Sequence, residues 1–289
     1  MLYGIDLSKH NGRVDFKKVR DQGVKFVILR CGYASLSNRK NLYKDEKFEE
    51  YYKGAKEQGL KVGVYFYSRC NTTSTALNEA KFILSTIKGK EIDYPVWLDV
   101  EDVSTLKSVT RETMTNVIIT CLNYIQSQGY YVGMYTGAYI LKDYLVENKL
   151  SSYDKWIAQW SKSCTYKGTY GMWQFGGETN ILKSPKVQGV SSASCDQNYA
   201  LIDYANIIRA RGLNGLSAQG VYGLTTANLN VRKGRGVNYK IITTIKKGTR
   251  LEITKVEGNW GYVSKYKGYV CMDYIKKGSA NHFVGCLKD

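Results

Sequence analysis

The run YPVWLDVEDV, residues 94–103, drives an apolar segment straight into three carboxylates, Asp99, Glu101 and Asp102. Burying a charge without a partner is costly, so acids in such a place call for a role. Three roles are open. Acidic residues can decorate a loop or favour the start of a helix. Carboxylates on neighbouring strand ends can hold magnesium or calcium. Two close carboxylates also disfavour double ionisation, so that one keeps a proton near neutrality while the other stays charged. If residues 94–101 are extended, Asp99 and Glu101 face the same way and Val100 the opposite way. A glycosidase with a carboxylate nucleophile needs its two acids on either side of the sugar, roughly 5.5 Å apart. Neighbours on one strand face do not easily reach that geometry. They suit a substrate that brings its own nucleophile, such as an acetamido oxygen, with one carboxylate orienting it and the other protonating the leaving oxygen.

The elements around this run must place it. Three times a helical pattern ends in glycine and a strand follows: Asp15 to Gln22 before Gly23, Glu46 to Gln58 before Gly59, and Thr110 to Gln128 before Gly129. Glycine just past a helix supplies the left-handed residue that closes it. A fourth helix, Ser74 to Lys88, carries Leu77, Ala80, Ile83, Leu84 and Ile87 on one face. Alternation of helix and strand predicts a parallel sheet. Apolar runs near residues 3–6, 25–30, 61–67, 94–99, 131–135, 155–159, 171–175 and 194–199 give eight strands, hence a closed barrel. The last three are too close for full helices between them, so the barrel is expected to be irregular there. Its C-terminal strand ends, where sites of such barrels gather, carry Asp6, Arg30, Tyr67, Asp99 with Glu101, Tyr135, Gln159, Gln174 and Asp196.

Composition narrows the class. The 289 residues are 43% apolar, enough for one large domain or a large and a small one. No run approaches the length of a membrane span, so no membrane insertion is expected. The N-terminus, MLYGIDLSKHNG, lacks the basic and apolar regions of a signal peptide. Two histidines, His10 and His282, and seven cysteines without a CxxC pair supply a metal site poorly, and no metal or cofactor is expected. The net charge is +17, and residues 213–289 hold 13 Lys and Arg against 4 Asp and Glu. That density points to a polyanionic partner: nucleic acid, anionic membrane or an acidic wall polymer.

Between Gly212 and Gly223 four glycines mark a linker. Beyond it short alternating segments separated by glycine turns predict a small all-β domain. The expected division is a barrel over 1–211, a linker over 212–221, a β-domain over 222–278 and a tail over 279–289.

Seven motifs in order carry a resemblance: GIDLSKHNG at 4–12, KFVILRCGY at 25–33, GVYFYS at 63–68, YPVWLDVED at 94–102, WIAQW at 156–160, MWQF at 172–175 and CDQN at 195–198. Over about residues 1–210 the chain resembles the family 25 glycoside hydrolases, the muramidase-type lysozymes of bacteria and phages. The resemblance implies an irregular eight-stranded α/β TIM-like barrel and cleavage of the β-1,4 bond between N-acetylmuramic acid and N-acetylglucosamine. By motif, Glu101 resembles the general acid, Asp99 its partner, and Asp6 and Asp196 the remaining acids of the site floor. Arg30, Tyr65, Tyr67, Tyr135, Gln159 and Trp173 are expected to bind substrate. Phe66 departs from the pattern, since relatives often have histidine there; little consequence for the chemistry is expected, and any difference is expected in the groove wall. LNVRKG, IKKGTRLEI, GNWGYV and KGYVCMDYI, within 229–275, resemble bacterial SH3-like modules, which in lysins commonly bind peptidoglycan. The partners implied are a glycan strand in the barrel groove and a wall component at the β-domain. Nucleic acid is not expected, because the aromatics there sit at strand-core spacing. Without a signal peptide, the protein is expected to wait in a host cytoplasm before acting at the wall, as phage endolysins do. Two rival readings are a non-catalytic wall-binding protein and a peptidase or amidase using Cys31 and His10.

Overall fold

The computed structural model describes residues 1–177, 186–216 and 221–277. The chain divides into two compact units, Met1–Ala205 and Asn206–Asp289.

The first unit is built on β1 (Leu2–Leu7), β2 (Phe26–Ala34), β3 (Leu42–Lys44), β4 (Lys61–Tyr67), β5 (Val96–Asp99), β6 (Val132–Gly137), β7 (Asp154–Ala158), β8 (Met172–Gly176) and β9 (Asp196–Ala200). The sheet runs β1-β9-β8-β7-β6-β5-β4-β2, and pairing of β1 with β2 closes it, while β3 hangs on β2 outside the ring. The eight expected strands are therefore the eight barrel strands. Their directions differ from the expected parallel sheet at one place: β9 runs antiparallel to both β1 and β8.

Helices Phe16–Asp21, Phe48–Glu57, Thr73–Ile87 and Arg111–Ser127 occupy the expected segments. Asp15, Thr72 and Thr110 cap three of them by accepting from backbone N–H groups. Gly23, Gly59 and Gly129 close three with φ of +98°, +71° and +85°.

Alternation along the strands sorts side chains into two layers. Val27, Leu29, Cys31, Val62, Val64, Phe66, Val96, Leu98 and Val100 belong to the large core outside the barrel, with Ala76, Ile83, Met114 and Ile118 of the helices. Phe66 is fully buried and its ring lies 5.9 Å from that of Phe82. It faces the helix layer, so the Phe66 side chain is not itself part of the groove wall.

The alternate positions fill the barrel interior with rings. Phe26 stacks on Tyr94 at 4.4 Å, and Trp97 meets Trp156 and Tyr204 edge-on at 5.8 and 5.7 Å. Gly133 makes room for this plug, since a Cβ there would stand 2.2 Å from the Trp97 ring. The plug seals the interior below and leaves polar residues above it, at the C-terminal strand ends.

In the second unit, Val221–Thr225 pairs antiparallel with Arg250–Ile253 and Ile275–Lys277. A five-stranded sheet orders Ile241–Ile245, Leu229–Arg232, Gly268–Cys271, Trp260–Val263 and Lys255–Glu257. Leu229, Val231, Ile245, Leu251, Ile253, Val263, Val270, Met272 and Ile275 form its core. Of the segment read as a linker, residues 217–220 lie outside the described residues; Leu213, Asn214 and Leu216 before them are buried, and Val221 already begins a strand. The tail at 279–289 lies outside the described residues as well.

Candidate active site

Register brings the acids together. Tyr67 is paired with Asp99 across β4 and β5, and Asp99 with Tyr135 across β5 and β6. Asp6 stands directly opposite Asp196 in the β1–β9 pair, so both project to the same face. Val100 holds the β5 end in register by donating to the Tyr135 carbonyl at 2.9 Å and accepting from Thr136 Oγ1 at 2.7 Å. Since Leu98 and Val100 point to the helix layer, Asp99 points into the barrel mouth.

Asp6 is the end point of a chain of donors. Its Oδ2 accepts from Gln174 Nε2 at 3.0 Å and Asn198 Nδ2 at 2.9 Å. Gln174 Oε1 accepts from Tyr135 OH at 2.9 Å and Trp160 Nε1 at 3.0 Å, and Asn198 Oδ1 from Trp156 Nε1 at 2.8 Å. Each amide is thus oriented with its N–H toward the carboxylate. Burial nevertheless pushes the Asp6 carboxyl up to about 6, against the two bonds that favour its charge.

Asp99 is buried, and its Oδ1 has no hydrogen-bond partner. Burial, then the charges of Glu101 and Asp6, push its carboxyl well above the usual range, while Arg30 and Arg69 pull the other way. Glu101 is half-buried, and among the described residues nothing hydrogen-bonds its carboxylate. Burial, then Asp6 and Asp102, raise it too, against Arg69. Asp102 behaves differently. Burial works against its charge, but Ser104, Arg69 and the Thr105 N–H bond it and hold it down to about 2. It caps helix Val103–Leu106, so one of the three opening acids is indeed a helix start.

Arg30 donates from Nε to Asp45 Oδ2 at 2.7 Å, while its buried Nη2 has no partner. Tyr65 and Tyr135 lean on Trp156 with ring centroids 6.2 and 4.5 Å away. Burial, joined by the surrounding carboxylates, keeps both phenols far from ionisation. Asp196 is among those carboxylates for both rings. Gln159 and Trp173 stand apart from this cluster. The Gln159 side chain donates to Thr165 Oγ1 at 2.9 Å and accepts from Thr165 N at 3.0 Å, closing its own loop. Trp173, on the β8 face opposite Gln174, packs with Phe175 and Tyr199 at 5.7 and 6.2 Å. Sequence reasoning passed over Asn198, Trp156, Trp160 and Asp45, although three of these lie in the quoted motifs WIAQW and CDQN.

Among the described residues no group of three His, Cys, Asp or Glu is arranged to hold a metal ion, and no helix is long and apolar enough to cross a membrane. Cys31 is fully buried and burial pushes its thiol strongly up. A nucleophilic cysteine needs access and a lowered pKa, so the peptidase reading through Cys31 and His10 fails.

Carboxylates gathered at a barrel mouth, their charged forms disfavoured by burial and by one another, with Glu101 half-exposed, are groups suited to acid chemistry on a glycoside bond. The family described as glycosyl hydrolases family 25 matches residues 5–183, and bacterial SH3 domain matches residues 227–276. The chain belongs to glycosyl hydrolases family 25 and is a peptidoglycan hydrolase of the lysozyme kind, with a bacterial SH3 domain following the barrel in sequence. The autolytic lysozyme of Clostridium acetobutylicum is 26% identical over 267 residues, 89% of this chain and 69% of that protein. The modular autolysin LytC from Streptococcus pneumoniae, solved with a synthetic peptidoglycan ligand, is 25% identical with a TM-score of 0.58, covering 68% of this chain and 46% of that one. The spore cortex lytic enzyme SleM of Clostridium perfringens shares the fold at 19% identity and a TM-score of 0.61, over 96% of each chain.

Proposed function

We propose that the chain cleaves the β-1,4 bond between N-acetylmuramic acid and N-acetylglucosamine, with the substrate's acetamido oxygen as nucleophile. The observation that carries this reading is the unpartnered, buried Oδ1 of Asp99 beside Glu101. In the free site, burial and mutual repulsion favour a proton on Asp99. An acetamido N–H donated to Oδ1 favours its charged form and leaves the shared proton to Glu101. Glu101 then protonates the leaving oxygen while Asp99 orients the acetamido group and stabilises the positive charge of the cyclised intermediate. Glu101, now a base, takes a proton from the water that opens the ring. Asp6 and Asp196 complete the acidic floor. Arg30, Tyr65, Tyr67 and Tyr135 line the sugar groove, whereas the packing of Gln159 and Trp173 supports no such role for them.

Residues 1–211 act in this reading as the catalytic barrel and 222–278 as the module that holds the enzyme on the bacterial wall. The basic excess of residues 213–289 supports an anionic component there.

The test is Glu101→Gln on purified walls, with mass spectrometry of the released muropeptides to identify the bond. Removing the acid is expected to lower turnover by about 10²–10⁴ with substrate binding nearly unchanged. Release of reducing ends at the wild-type rate by this variant refutes the assignment.

A further inference from the structure

Behind the acid pair lies a buried carboxylate that the reaction scheme does not use. Glu79, on helix Thr73–Ile87, is completely buried. Its Oε2 accepts from Ser68 Oγ at 2.5 Å and its Oε1 from the Arg69 backbone N–H at 3.0 Å. Ser68 in turn donates its own N–H to the Asp99 carbonyl at 2.9 Å. A helix side chain therefore ties the residues after β4 to the end of β5 and fixes the backbone from which Arg69 departs.

The Arg69 side chain then joins three strand ends. Its Nε donates to Asp102 Oδ2 at 2.7 Å, its Nη1 donates to the Ala34 carbonyl, and its guanidinium lies 4.5 Å from the centre of the Tyr67 ring. Asp102 is itself pinned by Ser104 Oγ at 2.5 Å and Thr105 N at 2.9 Å. Glu101 hangs between Asp102, held by this clamp, and Val100, held by β6. Glu101, Asp102, Ser68 and Cys70 line one small cleft, so the seat and the acid share a wall.

We propose that Arg69, seated by Glu79, is a positioning residue: it holds the turn that carries Glu101 and keeps a fixed positive charge beside the Asp99–Glu101 pair. The inference rests on the assignment of Glu101 as general acid. The groups that face the pair are the carboxylates of Asp6 and Asp102, the phenols of Tyr67, Tyr135 and, toward Asp99, Tyr65, and the cations Arg69 and, toward Asp99, Arg30. Arg69 favours the charged forms of both acids, against burial and the other carboxylates. Catalysis needs Asp99 charged and Glu101 protonated. Without the Arg69 charge Asp99 ionises at higher pH, which moves the acid limb of the rate profile up. Glu101 also keeps its proton to higher pH, which moves the alkaline limb up.

The experiment compares Arg69→Met and Arg69→Lys in the full chain on soluble peptidoglycan fragments, with circular dichroism and tryptophan emission to verify the fold. Arg69→Met is expected to displace both limbs upward by roughly one pH unit, as loss of a nearby opposite charge does, and to lower kcat at little changed KM. Arg69→Lys keeps the charge but cannot reproduce the fork to Asp102 and Ala34; its limbs stay in place while kcat falls. A folded Arg69→Met enzyme in which either readout stays at the wild-type value overturns the proposal. If Arg69→Met does not fold, Arg69→Lys and Glu79→Gln decide: both keep the charge at position 69, and wild-type kcat in either overturns it. Glu101→Gln run alongside separates the two levels. If that variant stays active, the acid assignment has failed; if it is inactive while the Arg69 variants behave as wild type, only the positioning role has.

Discussion

Asp6→Asn is expected to make the barrel more stable at neutral pH while it damages the enzyme. The Asp6 carboxyl stands at about 6 in the folded protein, against about 3.9 in an unfolded chain. Its folded-state value is raised, so the folded state holds the proton longer. Stability is complete below about pH 3.9 and declines as pH rises toward 6, then stays at the lower level. At about 1.36 kcal/mol per pH unit, the loss across the window is about 3 kcal/mol. Asparagine can place its carbonyl oxygen where Oδ2 stands and still accept from Gln174 and Asn198, so the network survives and the titration disappears. Asp99 and Glu101, both pushed up by the Asp6 charge, ionise more easily in the variant, which adds in the same direction. The assay is thermal unfolding followed by tryptophan emission, at pH 4 and 7.5, on both proteins; four of the five tryptophans belong to the first unit. The stability gap between variant and wild type should widen by about 2–3 kcal/mol from the lower to the higher pH, or about 5–10 °C in Tm. Turnover should fall, and the alkaline limb should move down, because Glu101 loses its proton earlier. A gap that is the same at both pH values would refute the reasoning, since any effect of packing or hydrogen bonding alone is present at each.

Asp99→Asn should be strongly impaired although the acid remains, and the first product of the wild type should be the β-anomer, read by proton NMR; an α-anomer would mean direct attack by water. A chain ending at Gly212 should cleave soluble fragments but work poorly on intact cells. Wall attachment of the full chain should weaken as salt shortens the screening length from about 10 Å at 0.1 M to about 3 Å at 1 M; equal activity of both forms on cells excludes the targeting role. Thiol-blocking reagents should leave turnover intact, because Cys31, Cys70 and Cys121 are buried and burial holds their thiols protonated; loss of activity on blocking would restore a thiol mechanism.

What the sequence by itself determined is local. Helices Phe48–Glu57 and Arg111–Ser127 and their closing glycines follow from periodicity and from the conformation that only glycine adopts cheaply. The barrel strands follow from apolar runs, and the facing of Asp99 from counting by two. A signal for Glu79 lay in the sequence too, although that helix was read only for its apolar face: it comes three residues after Ala76 and four before Ile83, both buried, where a charge needs a partner. The identity of that partner was not legible, because Ser68 and Arg69 reach it from another element. The same holds for the partner of Gln174, a residue already placed at a strand end of the site, and for Asn198, which read as an ordinary polar residue, until two different strands aim both amides at Asp6. Trp173 shows the converse: its motif suggested a sugar platform, and strand phase turned it to the outer face. The direction of β9 was likewise decided only when the ring closed, since a short apolar strand reads the same both ways. Pattern along the chain fixes which way a side chain leaves its own element. Which groups it then meets, and so which protons it holds, depends on the register between elements far apart in sequence, and that is set by the packing of the whole barrel.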